Sequence, residues 1–242
     1  MGRIICIYIA LIITSIFTIN AYWIGLNNQT TIEMFNRLPL LIAPSNYIYI
    51  LWFVVIALIF VYFMTFKKEN HSLLFESKLQ VSLLICYAAF HVITLYFWNS
   101  NQLLTAVILG AASLLILFSL YITYPLTSEA IKYRTPIALL FSWQIFIFIL
   151  MFNYMLMNFE WNGFGISHTL WTVIFLTGGT AVAMHLRYHH YDIIAPVVFT
   201  WCYIGIAFSN GFTELLVTIA ALFLCGAMVA GIYLLKKKRL SL

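Results

Sequence analysis

Histidine is the residue type in this chain with the most chemistry to offer. The stretch HLRYHHYD sets His185 and His189 four residues apart, with His190 and Asp192 beside them. One helical turn between imidazoles is a spacing that can hold a transition metal. At the end of an apolar run, however, His and Tyr are ordinary membrane-interface residues, so the spacing alone assigns no metal ligand. His91 differs because it falls in the middle of a long apolar run. A bis-histidine haem needs two histidines on facing helices at similar depth, and only His91 lies at that depth. No Gly-rich phosphate loop, Cys-x-x-Cys pair or Gly-x-Ser-x-Gly elbow is present. Neither a catalytic centre nor a resident cofactor or metal is expected.

What remains is recognition. In the third run, 79–97, and the residue just after it, Gln80, Leu84, Tyr87, His91, Thr94 and Trp98 recur at steps of three and four and form one stripe. In 136–157, Pro136, Trp143, Phe146, Leu150 and Asn153 share a face, with Gln144 beside it. In 167–186, Trp171, Ile174, Gly178, Ala181 and His185 do the same, and Gly178 and Ala181 are expected to admit a close neighbour. Polar groups inside apolar runs serve either as hydrogen-bonding glue between helices or as the few convergent groups of an aromatic ligand cavity. In the second case Trp and Tyr stack on a flat ligand while His91, Gln144 or Asn153 orients it. Residue type leaves both open.

The elements that must position these residues follow from composition. Of 242 residues, 64% are hydrophobic and 8% charged, whereas a soluble domain carries roughly 25% charged residues. Lipid must therefore be the outer solvent, and the chain reads as one integral membrane domain over 1–242. Runs of about 20 apolar residues predict eight spans, 4–20, 47–66, 79–97, 103–124, 136–157, 167–186, 193–209 and 215–235, with a loop at 21–46 outside the cytoplasm. All are expected to be helices, an all-α bundle, because lipid offers no partner for an unpaired amide. The first run is long and lacks an Ala-x-Ala-like site after it, so a retained helix is expected rather than a signal peptide. The N-terminus and even-numbered loops carry 11 of the 12 basic residues, Arg37 being the exception. By the positive-inside rule both termini are then cytoplasmic, in a multi-pass protein of the plasma membrane.

The same sorting removes nucleic acid as a partner. The net charge of +5 is concentrated in orientation anchors such as Lys236–Arg239, placed among lipid headgroups. Cys6, Cys86, Cys202 and Cys225 lie in spans without paired spacing and read as packing residues. No internal repeat supports an inverted-repeat transporter. The last span carries Gly226/Ala230 and Ala227/Gly231, small pairs suited to tight contact. A homodimer through the Gly226/Ala230 face is one expected use.

The 21–46 loop is the longest polar stretch. Thr30 and Glu33 have capping-box spacing, so a short helix is expected from Thr31. Ile32, Phe35 and Leu38 then fall on one side, Pro39 ends it, and Pro44, Tyr47, Tyr49 and Trp52 follow as an aromatic belt. Ile32 and Phe35 would make such a helix a lid over the bundle mouth, or an interfacial anchor.

The stretch NAYWIGLNNQTTIEMFNRLPLLIAPSNYIYILW resembles the tryptophan-rich sensory protein family, which includes the translocator protein, in its longer bacterial branch. YFWNSNQLL, the Pro136, Trp143 and Asn153 series, and WNGFGISHTLW keep the family's order. The resemblance implies a five-helix bundle, here extended, around a pocket for flat hydrophobic ligands such as tetrapyrroles. It implies roles in sensing, stress regulation or transport, and carries ligand contacts onto Trp52, Trp143 and Asn153. His91 and Thr94 stand where the family has an Asn–Trp pair, and Ile56 where it has a tyrosine. A small permease or exporter subunit, and a haem-bearing redox protein using His91, are the alternative readings.

Overall fold

The structure, a computed structural model, describes residues 2–69, 78–126 and 128–235, so the basic run Lys236–Arg239 lies outside it. Among these residues the regular elements are helices: α1 (Gly2–Ile19), α2 (Thr31–Phe35), α3 (Leu51–Glu69), α4 (Lys78–Asn99), α5 (Leu103–Ile122), α6 (Ser128–Asn158), α7 (His168–His190), α8 (Ile194–Asn210) and α9 (Leu215–Leu234). α1 runs on through a π-helical turn, Asn20–Ile24, that stops at Gly25, whose φ of 109° suits glycine. A 3₁₀ turn, Asn46–Ile50, leads into α3. Pro136 lies inside α6 rather than at its start. Membrane helices tolerate the missing N–H where neighbouring helices cover the backbone.

Among the described residues six helices are long and apolar enough to cross a bilayer, and two apolar ones, Asn46–Val61 and Ile194–Asn210, are shorter. Of an 18-residue apolar stretch within Arg134–Asn158 of α6, 78% is buried, against 28–44% in the other five. α6 is therefore the axis of the bundle. α3, α5 and α8 pack on it, α4 lies between α1 and α5, and α9 closes against α7 and α8.

α7 corrects the sequence expectation. Its buried residues are Thr172, Leu176, Gly179, Thr180, Ala183, Leu186 and Arg187, while Ile174, Gly178, Ala181 and His185 face outward and Trp171 is half-buried. Nothing lies within 4 Å of a Cβ built on Gly178. The close approach belongs to Gly179, where a Cβ would stand 2.6 Å from the Tyr203 hydroxyl and 2.8 Å from Phe199 on α8. Adjacent glycines point about 100° apart on a helix, and lipid accepts an apolar face as readily as the bundle does. Periodicity alone therefore cannot choose between them. On α9, Gly231 packs against Met184 of α7, whereas Gly226 and Ala230 face outward.

Candidate functional site

The outer loop is tied down by amides. The Thr30 hydroxyl accepts from the Glu33 N–H at 3.0 Å and the Glu33 carboxylate accepts from the Thr30 N–H at 2.7 Å, the reciprocal capping box. The Thr30 N–H and then its hydroxyl, with Arg37 nearby, hold the exposed Glu33 carboxyl below its ordinary range. Gln29 donates to the Asn99 carbonyl at 2.6 Å, Asn99 to the Thr31 hydroxyl at 2.9 Å, and Asn27 to Ser100 at 2.9 Å. Further along, Asn210 of α8 donates to the Leu41 carbonyl at 2.8 Å, and the Ser45 N–H to the Gly205 carbonyl at 3.0 Å. Arg37 adds a hydrogen bond to Gln29. The polar residues that make this loop conspicuous in the sequence are the ones that dock it.

Docking drives α2 into the bundle. Met34 and Phe35 are fully buried, while Ile32 is half-buried at the edge. Of the expected pair, Phe35 is an insertion and Ile32 is not; the second anchor is Met34. A five-residue helix is too short for its periodicity to resolve that difference. The Phe35 ring lies parallel to Tyr49 at 6.0 Å, and meets Trp98 at 5.1 Å and Tyr154 at 6.4 Å.

Below Phe35 the rings are continuous. Trp52 of α3 meets Trp143 of α6 edge-on at 6.0 Å, His91 of α4 at 5.3 Å and Tyr22 at 5.7 Å. Tyr49 meets Trp143 at 6.4 Å, and Tyr87 stacks on His91 at 5.6 Å. The His91 Nε2 is 3.1 Å from the Thr18 hydroxyl, and Gln144 is reached by the Tyr87 hydroxyl at 3.5 Å. Trp52, Trp143, His91, Gln144 and Phe35 thus share one closed aromatic core, 0–3% exposed. Tyr22, Tyr49 and Trp98 complete it; Trp98 belongs to the stripe that includes His91 and Tyr49 to the aromatic belt, whereas Tyr22 carried no signal beyond the aromatic residues around it. Within this core the Tyr22 hydroxyl and the Trp52 indole meet each other, while the indole N–H of Trp98 and Trp143 and the His91 Nδ1 have no hydrogen-bond partner.

Asn153 is not part of it. Ten residues beyond Trp143, a rise of about 15 Å, it donates to the Ile149 carbonyl at 2.8 Å. It lines a separate cleft between the strap 39–42, the end of α6 and the start of α7.

At the other end of α6, Arg134 is buried, although its sequence position suggests a loop charge. Its guanidinium sits 4.4 Å from the Tyr121 ring centre and donates to the His190 carbonyl at 2.5 Å. Tyr121 donates to Asp192 at 2.8 Å, and the other Asp192 oxygen accepts from the Ile194 N–H at the start of α8. The rings of His185 and His189 lie 4.4 Å apart outside this network, both exposed.

A helical bundle with six bilayer-length apolar helices and one buried axis is a multi-pass membrane protein. The family model for TSPO-like proteins matches residues 4–234, from α1 through α9, and the chain belongs to that family. Comparison with curated proteins and with solved structures returns no match.

Proposed function

We propose that this chain is an eight-span plasma-membrane protein with both termini in the cytoplasm, and that its closed aromatic core binds a flat hydrophobic molecule of tetrapyrrole type for sensing or transport. One observation carries this. Three buried polar groups without partners (Trp98 and Trp143 N–H and His91 Nδ1) gather in a single core. Each such group costs about 1–3 kcal/mol, and native interiors rarely tolerate several together. A planar ligand with acceptor atoms would remove that cost while its ring replaces aromatic contacts. Entry requires withdrawal of Phe35, which gives α2 the role of a plug and the docked loop the role of its hinge.

Titration with protoporphyrin IX in nanodiscs tests the reading through tryptophan fluorescence. Quenching should saturate, and Trp143→Leu should weaken binding roughly two- to tenfold. Phe35→Ser should speed dissociation more than it changes equilibrium contacts. Linear, unsaturable quenching, identical in both variants, would mean partitioning into lipid and would end the proposal. Topology is tested separately by reporter fusions at Gly25, Asn101 and Leu242, expected outside, outside and inside.

A further inference from the structure

We propose that Thr18 fixes His91 as a hydrogen-bond donor, with its proton on Nδ1, and so makes the aromatic core a site for flat molecules whose polar edge consists of acceptors. The ligand half of this rests on the function proposed above; the half that joins Thr18 to His91 holds without any ligand.

Thr18 lies in the last turn of α1 and is 1% exposed. Inside a helix, Ser and Thr commonly turn the hydroxyl proton back onto the carbonyl four residues earlier. On the same helix Thr14 and Ser15 do so, to Ala10 and Leu11 at 2.7 Å each, and Thr94 of α4 and Thr180 of α7 do so at 2.7 and 3.0 Å. The Thr18 hydroxyl instead meets the His91 Nε2 at 3.1 Å. Two proton arrangements fit that contact. If Nε2 carries the proton and donates to Thr18, the Thr18 proton and the Nδ1 lone pair are both left unpaired. If Thr18 donates to a bare Nε2, the proton sits on Nδ1 and is the single group without a partner. Each buried polar group left unpaired is costly, so the second arrangement prevails. A doubly protonated ring fails on burial. At 2% exposure, against Trp52, Tyr87 and Thr18, it would be a buried cation with no counter-charge among these contacts.

The three unpaired groups of the core then all have one sense. An indole nitrogen donates and cannot accept, so Trp98 and Trp143 offer N–H only, and His91 joins them as a third N–H. Trp98 follows His91 by seven residues on α4, two turns along one face and about 10 Å away. Trp143 reaches His91 through Trp52, whose ring meets the two at 6.0 and 5.3 Å. Donors spread in this way suit a planar molecule that carries several acceptors, such as carbonyl or carboxylate oxygens. They offer nothing to a metal ion. Coordination needs an imidazole nitrogen without a proton, and the hydrogen bond made by one nitrogen decides the state of the other. Here Nδ1 holds the proton and the bare Nε2 is taken by Thr18, so an iron at the centre of a ring gains no bond from His91.

Long-range ¹H–¹⁵N NMR of the full ¹⁵N-histidine-labelled chain in nanodiscs reads the tautomer without ligand, and His91→Gln identifies the His91 signals by removing them. One protonated and one bare nitrogen should appear, the protonated one being Nδ1. Thr18→Val, nearly isosteric, should abolish the preference for Nδ1–H, and Thr18→Ser, which keeps the hydroxyl, should restore it. Protoporphyrin IX should bind Thr18→Val severalfold more weakly than the wild type or Thr18→Ser, because a misplaced proton leaves a polar contact unmade. Iron(III) protoporphyrin IX should bind with the affinity of the iron-free ring. A proton on Nε2, an Nδ1–H form unchanged in Thr18→Val, equal protoporphyrin IX affinity in Thr18→Val and the wild type, or a histidine-ligated iron spectrum that His91→Gln removes would each overturn the assignment. Failure of protoporphyrin IX to saturate at all ends the function proposed above, while the ligand-free spectrum still decides between Thr18 and His91 which one donates.

Discussion

Two groups of tryptophans in this protein are treated in opposite ways. In the closed core, Trp98 and Trp143 are buried with N–H groups that meet no acceptor. In the cleft beside the strap, Trp171 is half-buried and its N–H is satisfied at 2.8 Å by Gly163. Packing explains the second group completely: the indole is locked by a backbone acceptor and two neighbouring rings. It does not explain the first. Phenylalanine would fill much of the same space without leaving a polar atom unpaired in an interior where that is costly. On the proposed function, a bound ligand supplies the acceptors that the core indoles lack.

The comparison breaks most severely where one segment supports both regions. A Cβ on Gly205 would run into Ile48, and would stand 3.2 Å from Pro44. Gly205→Val should therefore push α8 from the strap, cost about 1–3 kcal/mol or more, and loosen both regions; the melting temperature in detergent measures it. Gly163→Ala attacks one region alone. Left-handed backbone costs a non-glycine residue about 1–2 kcal/mol, and the methyl displaces Trp171, so the Trp171 indole N–H should gain solvent exchange while Trp52 and Trp143 keep their environment.

Smaller effects sharpen the picture. Thr30→Ala removes the α2 cap and should cost about 1 kcal/mol, read as faster amide exchange across 26–36. The Glu33 half of the cap titrates. Its folded carboxyl lies below the ordinary value near about 4.3, so its contribution is present above that value and is lost as pH falls through the folded one. Amide exchange in the loop should accelerate on acidification, and Glu33→Gln should flatten the response. His91→Leu should change stability by less than about 1 kcal/mol, because it gives up the Thr18 contact but also removes an unpaired Nδ1. A loss of porphyrin binding at nearly unchanged stability marks His91 as a site residue.

Helix positions were readable because lipid imposes length: the eight apolar runs reappear as α1 and α3–α9 within a few residues, apart from the earlier start of α6. The capping box was readable because it is local chemistry. Faces were not. In α7 the adjacent Gly178 and Gly179 leave two registers, and only contact with Tyr203 and Phe199 selects Gly179. The inner network was hidden for a similar reason, since Arg134 and Asp192 stand where loop charges are expected and only the packing of α5 and α6 against the α7–α8 link buries them. Asn153 looked like a partner of Trp143 because they share a helix face, but the rise between them puts it in another compartment. The cleft depends on Trp161 and Trp171 meeting across the Gly163 turn, a tertiary event with no periodic signature.

The central claim is that the unpaired core indoles are donors waiting for a ligand. It is met most directly by NMR of ¹⁵N-indole-labelled protein titrated with protoporphyrin IX. The Nε1–H resonances of Trp98 and Trp143 should move saturably downfield while that of Trp171, already bonded to Gly163, holds its position. Core resonances that stay fixed while Trp171 moves, or a linear drift of all of them, would contradict it.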